Sequence, residues 1–334
     1  MKWDKAAASE FVKMPIAKSA KENTKVFAEK LARKNHRDRV TLSDIEAAKK
    51  VTYEDVPEEK RHRELQKRIT EGETDLMQRI EEEGREILAR EIDLFNVEMC
   101  HAQYFRCRCQ LIEVREIKRE IERKLRELNV SQMVADSLPD DERIMAHHRF
   151  TVSISGCPNG CTGPETRPFA LHGVCQPVIT DVTCSECLAC VKACRRGAIT
   201  VLDGIPEISA MRCDLCGSCT RACPTGKIAA AAKGYRILVG GKFGRFQQVG
   251  TQLFRIADKD TLMNALEAAL KTIKEESVGH EDLTSIINRI GVAPIFERLY
   301  RGNGRAKKTA GAKSASISSK PVSSAQTGCP NCGQ

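Results

Sequence analysis

The chain has 334 residues, 16 of them cysteine, with 41% hydrophobic and 4% aromatic residues and a net charge of +9; that length carries two or three modules and a sizeable core. No apolar run approaches the roughly 18–20 residues that cross a bilayer, and the opening MKWDKAAASEFVK is charged throughout rather than signal-like, so a cytoplasmic chain is expected. In that reducing compartment so many cysteines read as metal ligands rather than disulfides. The positive charge sits at the two ends, 13 Lys/Arg against 7 Asp/Glu in residues 1–50 and 6 basic residues with no acidic one in 301–334. With the middle slightly acidic and aromatic stacking platforms scarce, nucleic-acid binding is not expected.

Residues 1–56 read as a small helical unit. Val26, Phe27, Leu31 and Ala32 recur at helical spacing, and Thr41 or Ser43 is placed to cap a further helix with Asp44 and Glu46 in its first turn. Residues 57–95 are a charge-dense helical stretch with a broken apolar stripe of Leu65, Ile69, Leu76, Ile80, Ile87 and Leu88. Gly72 and Gly84 interrupt it, so a solvated linker or docking helix is expected rather than one long coiled coil.

The character changes at Cys100. The segment CHAQYFRCRC leads into a helix with Leu111, Val114, Ile117, Ile121, Leu125 and Leu128 on one face. The strand RFTVSIS follows, with Phe150, Val152 and Ile154 on one side and Thr151, Ser153 and Ser155 on the other, and it runs into SGCPNGC with Cys157 and Cys161. Residues 184–223 hold an internal repeat: CSECLACVKAC and CDLCGSCTRAC share the spacing C-x2-C-x2-C-x3-C at an offset of 29 residues. Between the two runs AITVLDGIPEI reads as a hairpin turning at Asp203-Gly204. Then YRILVGGKFGR is a strand entering a glycine loop, and DTLMNALEAALKTIKEE an amphipathic helix. Residues 301–334, rich in Ser, Ala, Lys and Gly, read as a disordered basic tail ending in Cys329-x2-Cys332, which is a half-site for zinc shared between two chains, a redox hook or an inert end.

The repeat carries the chemistry most directly. A cubane cluster takes three thiolates from one closely spaced run and a fourth from elsewhere, and in two-cluster ferredoxins the last cysteine of each run serves the other cluster. The runs therefore assign Cys184, Cys187, Cys190 and Cys223 to one [4Fe-4S] cluster, and Cys213, Cys216, Cys219 and Cys194 to a second. A zinc pair would use two separated hooks instead. Paired clusters imply electron transfer.

Two resemblances extend this reading. Trp3, Met14-Pro15-Ile16 ahead of a charged helix, and Val40-Thr41 ahead of another resemble the small domain at the C-terminal end of a light-independent protochlorophyllide reductase subunit. That implies a module found beside iron–sulfur redox proteins, not chlorophyll synthesis. Cys157-x3-Cys161 after a strand, with an earlier cysteine loop and helix, resembles the sulfite/nitrite reductase family, over roughly residues 96–300. There a first cysteine pair and a C-x3-C pair hold one [4Fe-4S] cluster whose last cysteine also bridges to sirohaem iron. The resemblance implies a third cluster on Cys100, Cys107, Cys157 and Cys161, with Cys109 a rival for Cys107 and Cys161 the sirohaem bridge. It also matches Gly240–Arg245 to the end of the dissimilatory-type module, with a ferredoxin domain inserted before it.

The expected fold class is α+β: a helical domain (1–56), a charged linker (57–95), a sulfite-reductase-like half-module (96–177 and 231–300), an inserted two-cluster ferredoxin domain (178–230) and the tail (301–334). The expected function is electron transfer through the ferredoxin clusters to the third site, with redox proteins as donor and acceptor. The alternatives are a sirohaem-dependent sulfite or nitrite reductase, or a subunit of one, and a non-redox adaptor with structural clusters. Since a full haem cradle draws basic groups from a second half-module, Arg106, Arg108, Lys242 and Arg245 alone favour the cluster without the haem. A homo-oligomer or a complex with a chain supplying the other half fits that shortfall. His101, His147, His148 and His172 sit at no ligand spacing, and Cys175 has no assigned role beyond that of a small buried residue.

Overall fold

The computed structural model describes residues 1–54, 75–102, 104–140 and 142–301. Helices α1 (Lys5–Lys13), α2 (Lys18–Lys34) and α3 (Leu42–Lys49) form the N-terminal unit, tied at its base by two short parallel strands, β1 (Lys2–Trp3) and β2 (Arg39–Val40). Thr41 rather than Ser43 caps α3, its backbone N–H donating to Asp44 Oδ2 at 2.9 Å.

The stretch read as a solvated linker or docking helix is packed in the part described. Helix α4 (Leu76–Ala89) buries Ile80, Gly84 and Ile87. Helix α2 holds its neighbours through three buried lysines. Lys21 Nζ donates to Val12 O at 2.9 Å and Ile80 O at 2.6 Å. Lys25 Nζ reaches the carbonyls of Ile87 at 3.0 Å, Leu88 at 3.2 Å and Arg90, closing the C-terminal end of α4. Lys30 Nζ donates to Leu138 O at 2.6 Å and Pro139 O at 3.3 Å, just past another helix end. Apart from Ile80, which lies inside α4, these carbonyls sit at or just past helix ends; ammonium groups suit such places, because the last carbonyls of a helix lack partners and carry its partial negative charge.

A five-stranded mixed sheet follows, in the order β3-β4-β5-β8-β9. Strand β3 (Phe95–Met99) pairs in parallel with β4 (Phe150–Ser155), and β4 with β5 (Phe169–Ile179). The crossover from β3 to β4 runs through α5 (Val114–Glu127) and α6 (Val130–Ser137); α5 buries Val114, Ile117, Ile121 and Leu125, as its sequence periodicity demands. Beyond β4, β5 pairs antiparallel with β8 (Ile228–Val239), and β8 with β9 (Thr251–Ala257). Helices α9 (Lys259–Glu276), α10 (Leu283–Ile290) and α11 (Ala293–Arg301) complete the module, and Asp258 Oδ1 caps α9 by accepting from Thr261 N at 2.7 Å. One hydrophobic core runs from Phe11 and Phe27 through Ile121 and Ile154 to Leu266 and Ile295, so the N-terminal helices and the sheet share it. The architecture is α+β.

The cysteine repeat leaves the sheet where Ile179 pairs with Ile228, at the far end of the β5–β8 ribbon. It contains the hairpin β6 (Ile199–Leu202) and β7 (Ile205–Ile208), turned at Asp203 (φ 48°) and Gly204 (φ 72°), and the short helices α7 (Ala189–Ala193) and α8 (Ser218–Ala222). Cys190, Ile199, Cys219 and Ile228 make its own small core.

Gly84 offers a test of this packing. A methyl group there would stand 2.8 Å from Val12 Cα and Val12 O. Alanine favours a helix over glycine by about 1 kcal/mol, yet overpacking costs roughly 1–3 kcal/mol. Gly84→Ala should therefore lower stability in chemical denaturation, whereas a solvated linker would gain from the same change.

Candidate metal centre

Strand β4 delivers SGCPNGC to the sheet's end. The face expected to be polar is buried: Ser153 and Ser155 are 0% and 1% exposed, and both hydroxyls lie 2.9 Å from Thr162 Oγ1. Those two bonds fold the loop back over the strand. Gly156 O accepts from Leu111 N at 2.9 Å, and Gly156 N donates to Cys100 Sγ at 3.1 Å. The loop therefore joins the earlier cysteine segment directly. Asn159 Nδ2 donates to Cys161 Sγ at 3.1 Å. Behind the loop, buried His172 places Nε2 3.2 Å from Glu165 Oε1 and Nδ1 3.4 Å from Cys157 O. Burial holds this imidazole below its ordinary pKa.

Cys107, Cys109 and Cys161 are exposed, Cys157 is half-buried and Cys100 is buried. Burial pushes the Cys157 thiol up to about 11, and the negative charges of Cys109, Cys107 and Cys161 push the same way. Five thiols thus surround one loop, and Cys109 stands beside Cys107 rather than apart from it. That crowding of sulfur is the chemistry of a cluster, which removes the cost of neighbouring thiolates by placing iron among them.

The repeat is a repeat of backbone as well as of spacing. Glu186 and Leu215, then Leu188 and Gly217, occupy the left-handed region at equivalent positions, with φ of 52°, 58°, 56° and 66°. This geometry turns backbone N–H groups toward sulfur: Glu186 N to Cys184 Sγ and Leu215 N to Cys213 Sγ, both at 3.4 Å. The fourth cysteine of each run is treated alike, Ala198 N lying 3.2 Å from Cys194 Sγ and Ile228 N 3.4 Å from Cys223 Sγ. Burial raises the Cys190 thiol, and charge on Cys223 and Cys184 adds to it. Burial pushes Cys219 up to about 11, with Cys213 and Cys216 adding to it. Cys187 goes the other way, held below the ordinary thiol range chiefly by the Ala189 backbone N–H.

Cys194, Cys213, Cys216 and Cys219 line a cavity of about 250 Å³. Cys109, Cys157 and Pro158 line the same cavity, so the repeat and the β4 loop meet there. Among the described residues no three His, Cys, Asp or Glu side chains close around a single-ion point. Cys329 and Cys332 lie outside the described residues.

The basic groups named for a haem are mostly engaged or displayed on loops. Lys242 Nζ is 3.0 Å from Asp282 Oδ2, Arg245 lies over the Phe246 ring, and Arg106 and Arg108 are exposed. Sequence reasoning missed Arg167, which donates to Glu98 at 2.9 Å under Phe243, and the His172–Glu165 pair. Spacing alone could not have found them, because strand register brings them to the loop.

This donor set and fold define an iron–sulfur protein of the redox type, with at least one cluster. The family model described as the nitrite and sulphite reductase 4Fe-4S domain matches residues 93–305, and the chain belongs to that family. It is similar to the coenzyme F420-dependent sulfite reductase of Methanocaldococcus jannaschii, 33% identical over 156 residues, which are 46% of this chain and 25% of that protein. The chain thus spans about a quarter of that relative's length. The crystal structure of dissimilatory sulfite reductase I superposes with a TM-score of 0.46 at 18% identity, over 74% of this chain and 62% of that one. Among the described residues no helix is long and apolar enough to cross a membrane.

The metal-free chain should show the thiol contrast. At pH 8 a thiol titrating at about 11 is roughly 0.1% thiolate, so Cys157 should alkylate far more slowly than Cys187, as read by mass spectrometry. Its rate should climb about tenfold per pH unit up to pH 10, while Cys187 levels off earlier. Equal rates at pH 8 would contradict the burial assigned to Cys157.

Proposed function

We propose that the chain is an electron-transfer component of the sulfite/nitrite reductase type, with two ferredoxin-like [4Fe-4S] sites in an inserted domain and a third on the β4 loop. The first site is held by Cys184, Cys187, Cys190 and Cys223, the second by Cys194, Cys213, Cys216 and Cys219, and the third by Cys157, Cys161, Cys107 and Cys100, with Cys109 the rival of Cys107. The observation that carries this reading is the shared cavity, in which the second set and the β4 loop face one space. When bound, such clusters supply reversible one-electron storage. The chain's own part is to aim backbone N–H groups at the sulfurs, which favours the charged thiolate form, and to shield Cys157, Cys190 and Cys219 from water. A merely structural role needs one metal site, not two matched runs and a third thiol group.

Catalysis on sulfite or nitrite is a second reading, favoured by the outward position of Cys161, where a sirohaem would meet the cluster. The similar methanogen enzyme is a sulfite reductase. Because this chain covers a quarter of it, the catalytic form of this reading includes a further chain that supplies the remaining basic cradle, and redox proteins as donor and acceptor.

Anaerobic purification with iron and acid-labile sulfide analysis should give about twelve irons per chain; about eight would leave two clusters and none on the β4 loop. Cys161→Ser should remove one paramagnetic signal and leave the ferredoxin-type pair. A visible spectrum without an isobacteriochlorin band would end the sirohaem reading for the isolated chain.

A further inference from the structure

Cys175 is the one cysteine among the described residues that the three thiol groups leave aside. It is 1% exposed, in the middle of β5. One edge of β5 pairs with β8 along its length; the other pairs with β4 only from Phe169 to His172. Past that point the second edge is taken up by the two cysteine loops. Gly173 abuts the β4 loop so closely that a Cβ on it would stand 2.5 Å from Gly156 O. Cys175 forms a parallel bridge with Cys216, its N–H donating to Leu215 O at 2.7 Å. Gly217 then passes over Cys175: a Cβ there would lie 3.0 Å from Cys175 Cβ and 3.2 Å from its Sγ. Gly217 is held at φ 66°, so neither position has room for a larger side chain. The attachment points at His172 and Cys175 are three residues apart on an extended strand, a rise of roughly 10 Å.

We propose that Cys175 is a positioning residue: with Gly217 it seats the Cys213–Cys219 loop on the same edge of β5 that carries the Cys157 loop, and so fixes the spacing between these two thiol groups. It follows that the group of Cys194, Cys213, Cys216 and Cys219 is the neighbour of the β4 loop, and the group of Cys184, Cys187, Cys190 and Cys223 the outer one. The proposal rests on the three-site reading above. Cys175 itself serves through its backbone N–H and its small size, with its sulfur turned to Gly217 and not to iron.

The test uses the full chain reconstituted anaerobically with iron and sulfide, and reads iron content together with the spin–spin splitting between reduced clusters by electron paramagnetic resonance. Cys175→Ala should keep both at wild-type values, since it adds no bulk and leaves the backbone bond. Cys175→Leu should keep the iron but narrow the splitting, because the longer side chain lifts the loop off β5. Gly217→Ala presses on the same contact from the other side and should narrow it too, which preserves the test if the leucine variant does not fold. Loss of about four irons in Cys175→Ala would make Cys175 a ligand and overturn the proposal. So would wild-type splitting in a folded Cys175→Leu or Gly217→Ala protein. Fewer than about twelve irons in the wild-type chain would instead count against the three-site reading, before any variant is compared.

Discussion

The constraint on which the β4 loop depends is the approach of Gly156 to Gly173, where a Cβ on Gly173 would stand 2.5 Å from Gly156 O. Backbone meets backbone there, with no room for a single methyl group between them. Everything around the β4 loop depends on that contact. It lets Gly156 O reach Leu111 N, which starts the chain into α5, and lets Gly156 N reach Cys100 Sγ, which closes the earlier cysteine segment onto the loop. It also sets His172 under Cys157. Each of these bonds is worth on the order of 1 kcal/mol, but they share one geometry, so they form or fail together.

A second constraint works at the other end. Thirteen basic residues in the first fifty suggest a charged surface, yet Lys21, Lys25 and Lys30 are 0%, 5% and 6% exposed. Burying an ammonium is costly, and burial indeed lowers the Lys25 pKa. The offset comes from backbone carbonyls, most of them at or just past helix ends, where the helix leaves them without an internal partner. The three residues lie along one helix and reach α1, α4 and the segment after α6. The N-terminal unit is therefore joined to α4 and to the segment after α6 by oriented polar bonds as well as by apolar contact.

How much of this was legible in the sequence follows from the range of each interaction. Helix α5, strand β4 and the Asp203-Gly204 hairpin are local patterns, and they appear where periodicity and turn chemistry put them. The backbone equivalence of the two cysteine runs was likewise readable from their offset. What was not legible depends on partners far along the chain. The polar face of β4 looks solvent-facing by alternation, but Ser153 and Ser155 are covered by a loop that begins two residues later. Ile80 and Ile87 belong to a stripe interrupted by glycine, and Gly84 reads as a break, whereas it is buried against Val12 of α1 with no space for a methyl group. Cys175 had no motif at all, since its significance lies in an edge of β5 that β4 does not reach.

The two cysteine runs illustrate why such a site needs help from sheet and loop. Holding Glu186, Leu188 and Leu215 in the left-handed region costs something of the order of 1 kcal/mol each, and N–H groups aimed at sulfur recover it only when the sulfur carries charge. The runs are therefore expected to depend on iron for their own order. The β4 loop differs in degree: the Ser153 and Ser155 hydroxyls on Thr162 and the Leu111 N to Gly156 O bond involve no sulfur, although Gly156 N and Asn159 Nδ2 also donate to Cys100 and Cys161. The strand β5 carries both on one edge, the β4 loop at His172 and the second run at Cys175.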